Sequence, residues 1–387
     1  MTPHLSQHYS RFRVAERLLL TGHSHQAWPD VGFEAQQRAW LDAAEFVDQK
    51  WGHAVERADD VRQGFARLLR DVPENIALGQ NTHELVIRLL SALPLHERRR
   101  IVTTDAEFHS VRRQLNRLAE DGLLDIVRVQ ARPVDTLVER LEKAIDDRTA
   151  CAIVSSVLYE TAEIVPDLNA VARACASVGA ELLVDAYHHL NVVPFDVAGM
   201  GLANAFVTGG GYKYCQLGEG NAFLRVPPGR QMRPVLTGWF AEFSSRGDRS
   251  TGPVYYGSGA DAFAGATYDP TSHYRAAAVF RFHTQQELTP DRLRDINRRQ
   301  IARLKSGVEA MGADERRLKV EAVPEERRAG FLAVRTSRAA DIVSALRVRG
   351  VFIDARGDIL RIGPAPYLDD RQLDEGVAAL AEILRDL

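Results

Sequence analysis

Between residues 75 and 226, short apolar runs alternate with stretches whose apolar positions recur at helical spacing. The apolar runs predict strands over 75–78, 100–103, 125–130, 151–157, 181–185, 205–208 and 222–226. The helical stretches predict helices over 84–93, 111–120, 134–145 and 168–178. Strands separated by helices of this length predict an α/β fold with a mainly parallel, doubly wound sheet. Such sheets bind ligands beyond the C-terminal ends of their strands. Residues 228–269 are rich in Gly, Ser, Pro and aromatics. Aromatics are costly to leave in solvent, so this stretch is expected to be an ordered cover over a site. One long helix is expected over 272–311, then a strand over 331–336, a helix over 339–349, strands over 351–354 and 359–362, and a helix over 370–387. That order predicts a small α+β C-terminal domain.

Composition narrows the class. A length of 387 residues leaves room for two domains at roughly 100–200 residues each. The formal net charge of −3 provides no global basic field for nucleic acid or an anionic membrane. No apolar run approaches the roughly 18 residues needed to span a bilayer. Met1 to His8 contains no basic region followed by an apolar core, so no secretion signal is expected and a cytoplasmic location is. Cys151, Cys175 and Cys215 have no CxxC spacing and read as reduced thiols.

Two strand ends carry the candidate chemistry. The apolar strand 181–185 closes on Asp185 and runs into Ala186-Tyr187-His188-His189. The next strand runs into Gly209-Gly210-Gly211 and then Tyr212-Lys213-Tyr214. A lysine just past a strand is most often a solvated loop residue, and an aspartate at a strand end is most often a turn or cap residue. Three glycines change those odds, because they permit close backbone approach and positive φ. A carboxylate facing a ring nitrogen and a lysine able to form a Schiff base are what pyridoxal 5′-phosphate requires. His188 is placed to touch the ring or its aspartate, whereas His189 reads as a packed histidine. No HExxH or Cys/His zinc spacing occurs, so no metal is expected.

Supporting positions are individually weaker. Gly79 to Glu84 follows a strand and opens a helix, which suits a phosphate, with Thr82 adding a hydroxyl. Asn81 with Glu84 fits a capping-box start equally well. Phe108 could stack on a ring or simply fill the core. Arg361 sits in an apolar strand, where arginine is seldom buried unpaired. Its planar fork suits a substrate carboxylate that pairs with it only when bound; a structural salt bridge is the alternative. No Walker A, GxGxxG or GxSxG context is present.

Taken together, these residues resemble the class V branch of the fold-type-I pyridoxal-phosphate enzymes, and within it the kynureninases. The resemblance covers nearly the whole chain. It rests on Asp185-Ala186-Tyr187-His188 as the family's Asp-x-x-His and on Tyr212-Lys213 as its Tyr-Lys. Asn81-Thr82, Phe108, Gly238-Trp239-Phe240 and Arg361-Ile362-Gly363-Pro364-Ala365-Pro366 support it. The chain departs from kynureninases at Val111, where they carry an acid, at Phe240, and in Ala241-Glu242-Phe243.

The resemblance implies an N-terminal segment over 1–40 near the active site, a large cofactor domain over 41–270, and a linking helix with a small domain over 271–387. It implies that Lys213 binds the cofactor and moves protons, that Asp185 keeps the ring electron-poor, and that Tyr212 donates a proton. Asn81, Thr82, Phe108, His188 and Trp239 would hold the cofactor, and Arg361 and His23 the substrate. Thr267 would reach a neighbour's phosphate across a homodimer interface. The implied substrate is a small-molecule amino acid, kynurenine or a related aryl-oxo amino acid, cleaved hydrolytically between Cβ and Cγ. Transamination and β-elimination are the alternatives within this chemistry. Cysteine desulfuration needs a nucleophilic cysteine well after the lysine, and none follows Cys215. A non-enzymatic protein of the same fold is disfavoured by the intact lysine–aspartate pair.

Overall fold

The computed structural model describes residues 5–243 and 252–386. The first residues of the chain, part of the expected cover and the last residue of the expected C-terminal helix lie outside these. The chain opens with β1 (Leu18–Leu19), α1 (Val31–Phe46) and α2 (Lys50–Leu69). Then come β2 (Ile76–Gly79), α3 (Thr82–Ala92), β3 (Arg100–Thr104), α4 (His109–Glu120), β4 (Asp125–Val129), α5 (Leu137–Ala144), β5 (Thr149–Ser155), α6 (Leu168–Ser177), β6 (Glu181–Asp185), β7 (Phe206–Gly210) and β8 (Ala222–Arg225). Strands β2 to β8 form one sheet in the order β2-β8-β7-β6-β5-β3-β4. Six of them point the same way, and β8 alone runs antiparallel, to both β7 and β2. The alternation of apolar runs and amphipathic stretches therefore produced the doubly wound sheet it predicts.

Apolar clusters cover both faces of the sheet. One is built on Val102, Val154, Val184 and Val207, the other on Ile101, Ile153, Leu183 and Phe206. Consecutive residues of each strand point to opposite faces. That is why the central strands read as unbroken hydrophobic runs.

The expected single helix over 272–311 is two: α7 (Thr271–Gln285) and α8 (Pro290–Ala310). Glu287 takes a left-handed φ of 52° between them. Thr289 then caps α8 by accepting from the Arg292 N–H at 3.3 Å, with Pro290 as the first helical residue. His283-Thr284-Gln285-Gln286-Glu287 carries no apolar position and Thr289-Pro290 is a helix-start signal, so the break is legible in the sequence and the expectation of one helix passes over it. Helix α7 packs on α1, where Tyr274 Oη donates to Asp42 at 2.8 Å.

The remaining chain supplies β9 (Lys319–Val320), β10 (Leu332–Arg335), α9 (Ala339–Val348), β11 (Val351–Phe352), β12 (Asp354–Arg356), β13 (Ile359–Ile362) and α10 (Asp370–Asp386). Antiparallel β12-β13-β10-β9 makes a small second sheet. Strand β1 pairs in parallel with β11, and the Gly22 N–H donates to Gly363 O at 2.9 Å. These contacts tie the N-terminal segment to the small sheet and bring His23 beside β12.

Candidate active site

At the C-terminal ends of β5, β6 and β7 lies a cavity of roughly 310 Å³. Asn81, Thr82, Phe108, Asp185, His188, Tyr212 and Lys213 all line it, on segments far apart in sequence. Lys213 is buried, and its Nζ lies 2.7 Å from His188 Nε2. The rings of Tyr187, Phe108 and Tyr212 stand 4.4, 5.3 and 5.6 Å from the ammonium. Burial pulls Lys213 down to about 7, against the attraction of Asp185, and Arg361 and Arg356 add to the fall. A lysine poised near neutrality can both bind a carbonyl and carry a proton.

Asp185 closes β6 inside the apolar core. Its Oδ1 accepts the Tyr187 N–H at 2.8 Å. Burial raises its pKa, while that hydrogen bond and Lys213 act the other way. Burial, then Lys213 and Arg361, hold the His188 imidazole well below its usual range. Its Nδ1 is buried without a partner.

The glycines before Lys213 act differently from the expectation of positive φ. None of Gly209, Gly210 and Gly211 has it; Gly218 and Gly220, in the next turn, do. A methyl at Gly210 would overlap the Tyr187 hydroxyl, and one at Gly211 would overlap Leu217. The run makes room for Tyr187, which walls the cavity, and for the packed Leu217, rather than for an unusual backbone. At the opening of α3 the two readings of Asn81 coexist. Its Oδ1 caps the helix by accepting from the Glu84 N–H at 3.0 Å, and Asn81 and Thr82 also line the cavity.

Four expected site residues stand elsewhere. The guanidinium of Arg361 is not awaiting a partner. Its Nε and Nη2 donate to the two oxygens of Asp354 at 2.8 and 2.5 Å, and Nη1 to Tyr159 O at 2.8 Å. This corrects the expectation of an unpaired cation: β12 and β13 are adjacent, and their register sets Asp354 opposite Arg361. His23 does not line the cavity either. It is fully buried, with Nε2 2.8 Å from Asp354 Oδ1, and burial drops it to about 4. Burial opposes the ionisation of Asp354, yet His23 and Arg361 hold it well below the usual carboxylate range. Trp239 is 53% exposed and packs on Phe240 and Phe243 at 4.7 Å each. Thr267 lines a neighbouring cavity of roughly 290 Å³, which shares Gln80 with the first.

Sequence reasoning passed over Tyr187, Ser155 and Glu107. Tyr187 sits inside the Asp185–His188 motif, so its place was open to reading. Ser155 and Glu107 meet only through the pairing of β3 with β5. His189 is the packed histidine expected, 4.9 Å from Phe195 and with Nε2 3.3 Å from Pro194 O.

The donor set fits pyridoxal phosphate on three observations. The His188 Nδ1 and Asn221 Oδ1 atoms are buried without partners at residues that line the cavity. Asp185 is a buried carboxylate that lines the cavity, as a partner for a ring nitrogen must. The N-terminus of α3, with the Thr82 hydroxyl, opens on the same space, as a phosphate needs.

Comparison with known proteins agrees. The model of the aminotransferase class-V family matches residues 47–372. The chain is 23% identical over 359 residues to the uncharacterized aminotransferase YcbU of Bacillus subtilis (strain 168), covering 88% of each chain. It is 25% identical over 386 residues to kynureninase of Bacillus anthracis, covering 96% of this chain and 85% of that one. Among solved structures, a C-DES mutant with glycine covalently linked to its PLP cofactor superposes with a TM-score of 0.85 at 17% identity, over 97% of this chain and 98% of that one. Cysteine desulfurases share the same fold. The chain belongs to the class V aminotransferase family.

Proposed function

We propose that this protein is a pyridoxal-phosphate enzyme acting on an amino acid, with kynureninase-like hydrolytic cleavage of an aryl-oxo side chain as its reaction. The observation that carries the cofactor reading is the buried Lys213 beside Asp185 and His188 in one enclosed cavity. When bound, the cofactor supplies an electron sink for charge that develops at the substrate Cα. Lys213 holds it and, at a pKa near neutrality, takes and returns the Cα proton. Asp185 keeps a positive charge on the ring nitrogen, and His188 Nδ1 supplies a hydrogen-bonding group nearby. Phe108 walls the ring, and the first turn of α3 with Thr82 receives the phosphate.

Tyr212 lines the cavity with its phenol pushed up in pKa by burial, so it stays protonated and able to donate. Arg361 is the anchor for the substrate carboxylate through N–H groups that Asp354 and Tyr159 leave over, with His23 and Asp354 fixing its plane. The kynureninase match along 96% of the chain supports the hydrolytic reading. Transamination is the second reading, supported by the YcbU match. Desulfuration is disfavoured, because Cys151, Cys175 and Cys215 are all buried and none lines the cavity. The working unit is a homodimer in which Trp239 and Thr267 serve the partner's site.

The test is to incubate the cofactor-loaded protein with kynurenine and identify products by mass. Alanine with anthranilate supports hydrolysis; a keto acid supports transamination. Borohydride reduction should fix the cofactor on the peptide that carries Lys213, and labelling of another lysine would reject the assignment.

A further inference from the structure

Glu107 is a buried acid that the chemistry above leaves unused. It stands one residue before Phe108, between β3 and α4, and is 2% exposed. Its Oε1 accepts from Thr104 Oγ1 at 2.8 Å and from the Ser155 N–H at 3.1 Å. Its Oε2 accepts from Ser155 Oγ at 2.6 Å. Ser155 ends β5, pairs in register with Asp185 on β6, and lines the cavity. One hydroxyl therefore stands between a buried carboxyl and the candidate site.

Burial pushes Glu107 up to about 7; its bonds to Ser155 and Thr104 pull it down, and Asp185 pushes it further up. The charged group acting on it is Asp185 on β6, with Lys213 and His188 beyond. The ionised carboxylate can only accept. The Ser155 hydrogen is then spent on Oε2, and the Ser155 oxygen shows the cavity lone pairs alone. When Glu107 takes a proton on Oε2, that O–H donates back to Ser155 Oγ, and the Ser155 hydrogen is released to point into the cavity. One proton is gained and no heavy atom needs to move.

We propose that Glu107 is a positioning residue that sets, through the Ser155 hydroxyl, whether the cavity wall beside Asp185 presents a hydrogen-bond acceptor or a donor to the cofactor. This rests on the reading of the cavity as a pyridoxal-phosphate site.

The test is a pH titration of the visible absorbance of lysine-bound cofactor in the wild type, Glu107→Gln, Ser155→Ala and the double variant. In Glu107→Gln the amide N–H can donate to Ser155 Oγ, so the hydroxyl no longer presents an acceptor to the protonated, lysine-bound cofactor, and the midpoint should fall by about one pH unit. In the Ser155→Ala background the same change should have less than about half that effect, because the route is cut. An unmoved midpoint in Glu107→Gln overturns the proposal. So does an equal shift in both backgrounds, which would make Glu107 a through-space charge. Should Glu107→Gln not fold by circular dichroism, Ser155→Thr and Ser155→Ala decide. Threonine keeps the hydroxyl and should retain the wild-type midpoint, while alanine should not; identical midpoints overturn the idea. A wild type that never develops visible absorbance with added cofactor would instead reject the cofactor reading itself.

Discussion

Lys213 shows how much one side chain owes to burial. Its desolvation outweighs the attraction of Asp185, so a group that ordinarily titrates near 10.4 does so at about 7. The free amine is the form that attacks the cofactor aldehyde. The rate of cofactor capture by the apoprotein should therefore rise as pH increases through about 7 and level off above it. Stopped-flow absorbance after mixing at a series of pH values checks this, and a midpoint near 10 would contradict it. Arg361 makes a complementary case. It shares Asp354 with His23, so Arg361→Ala leaves a mostly buried carboxylate without its principal cation. We expect a loss of roughly 2–4 kcal/mol in unfolding free energy, most of it recovered in the Arg361→Ala, Asp354→Asn double variant. Denaturant unfolding measures both. Equal stability of the single variant and wild type would remove the pair from the account of the fold.

At the scale of elements, the strand ends carry the site and the glycine run of β7 makes room for it. Gly210→Ala would set a methyl against the Tyr187 hydroxyl, although the φ there is ordinary. Overpacking of this kind costs about 1–3 kcal/mol. Because Tyr187 walls the Lys213 pocket, the variant should also bind cofactor more weakly, as seen by equilibrium dialysis. A variant that loses neither stability nor cofactor affinity would show that Tyr187 has room to move. The α7–α8 break belongs to this scale too. The polar run 283–287 followed by Thr289 and Pro290 forms a local stop-and-start signal that the sequence does carry.

For the whole molecule, the question is what covers the aromatic surface. Trp40 and Trp239 are 79% and 53% exposed, and the neighbouring cavity is lined by Thr267, Arg62 and Arg88. Trp239 clusters with Phe240 and Phe243, and we propose that a second copy covers this cluster. We expect a homodimer by light scattering at micromolar concentration. We also expect Trp239→Glu to weaken association and cofactor retention together. A fully active monomer would separate Trp239 and Thr267 from the site. Among the described residues no helix is long and apolar enough to cross a membrane.

The sequence by itself determined the parallel sheet and the two chemical ends, Asp185 and Lys213. Those features are written locally, in apolar runs, helical periodicity and a lysine behind glycines. It also marked His188, Phe108 and the α3 turn, because each follows a strand directly. Only the tertiary structure decided what those residues meet. The register of β12 against β13 sets Asp354 on Arg361, so a cation that looked unpaired along the chain is held at both ends of its fork. The adjacency of β3, β5 and β6 brings Glu107, Ser155 and Asp185 into one row. Pairings between strands are set by packing energy summed over the whole sheet, and no local pattern of residues carries them.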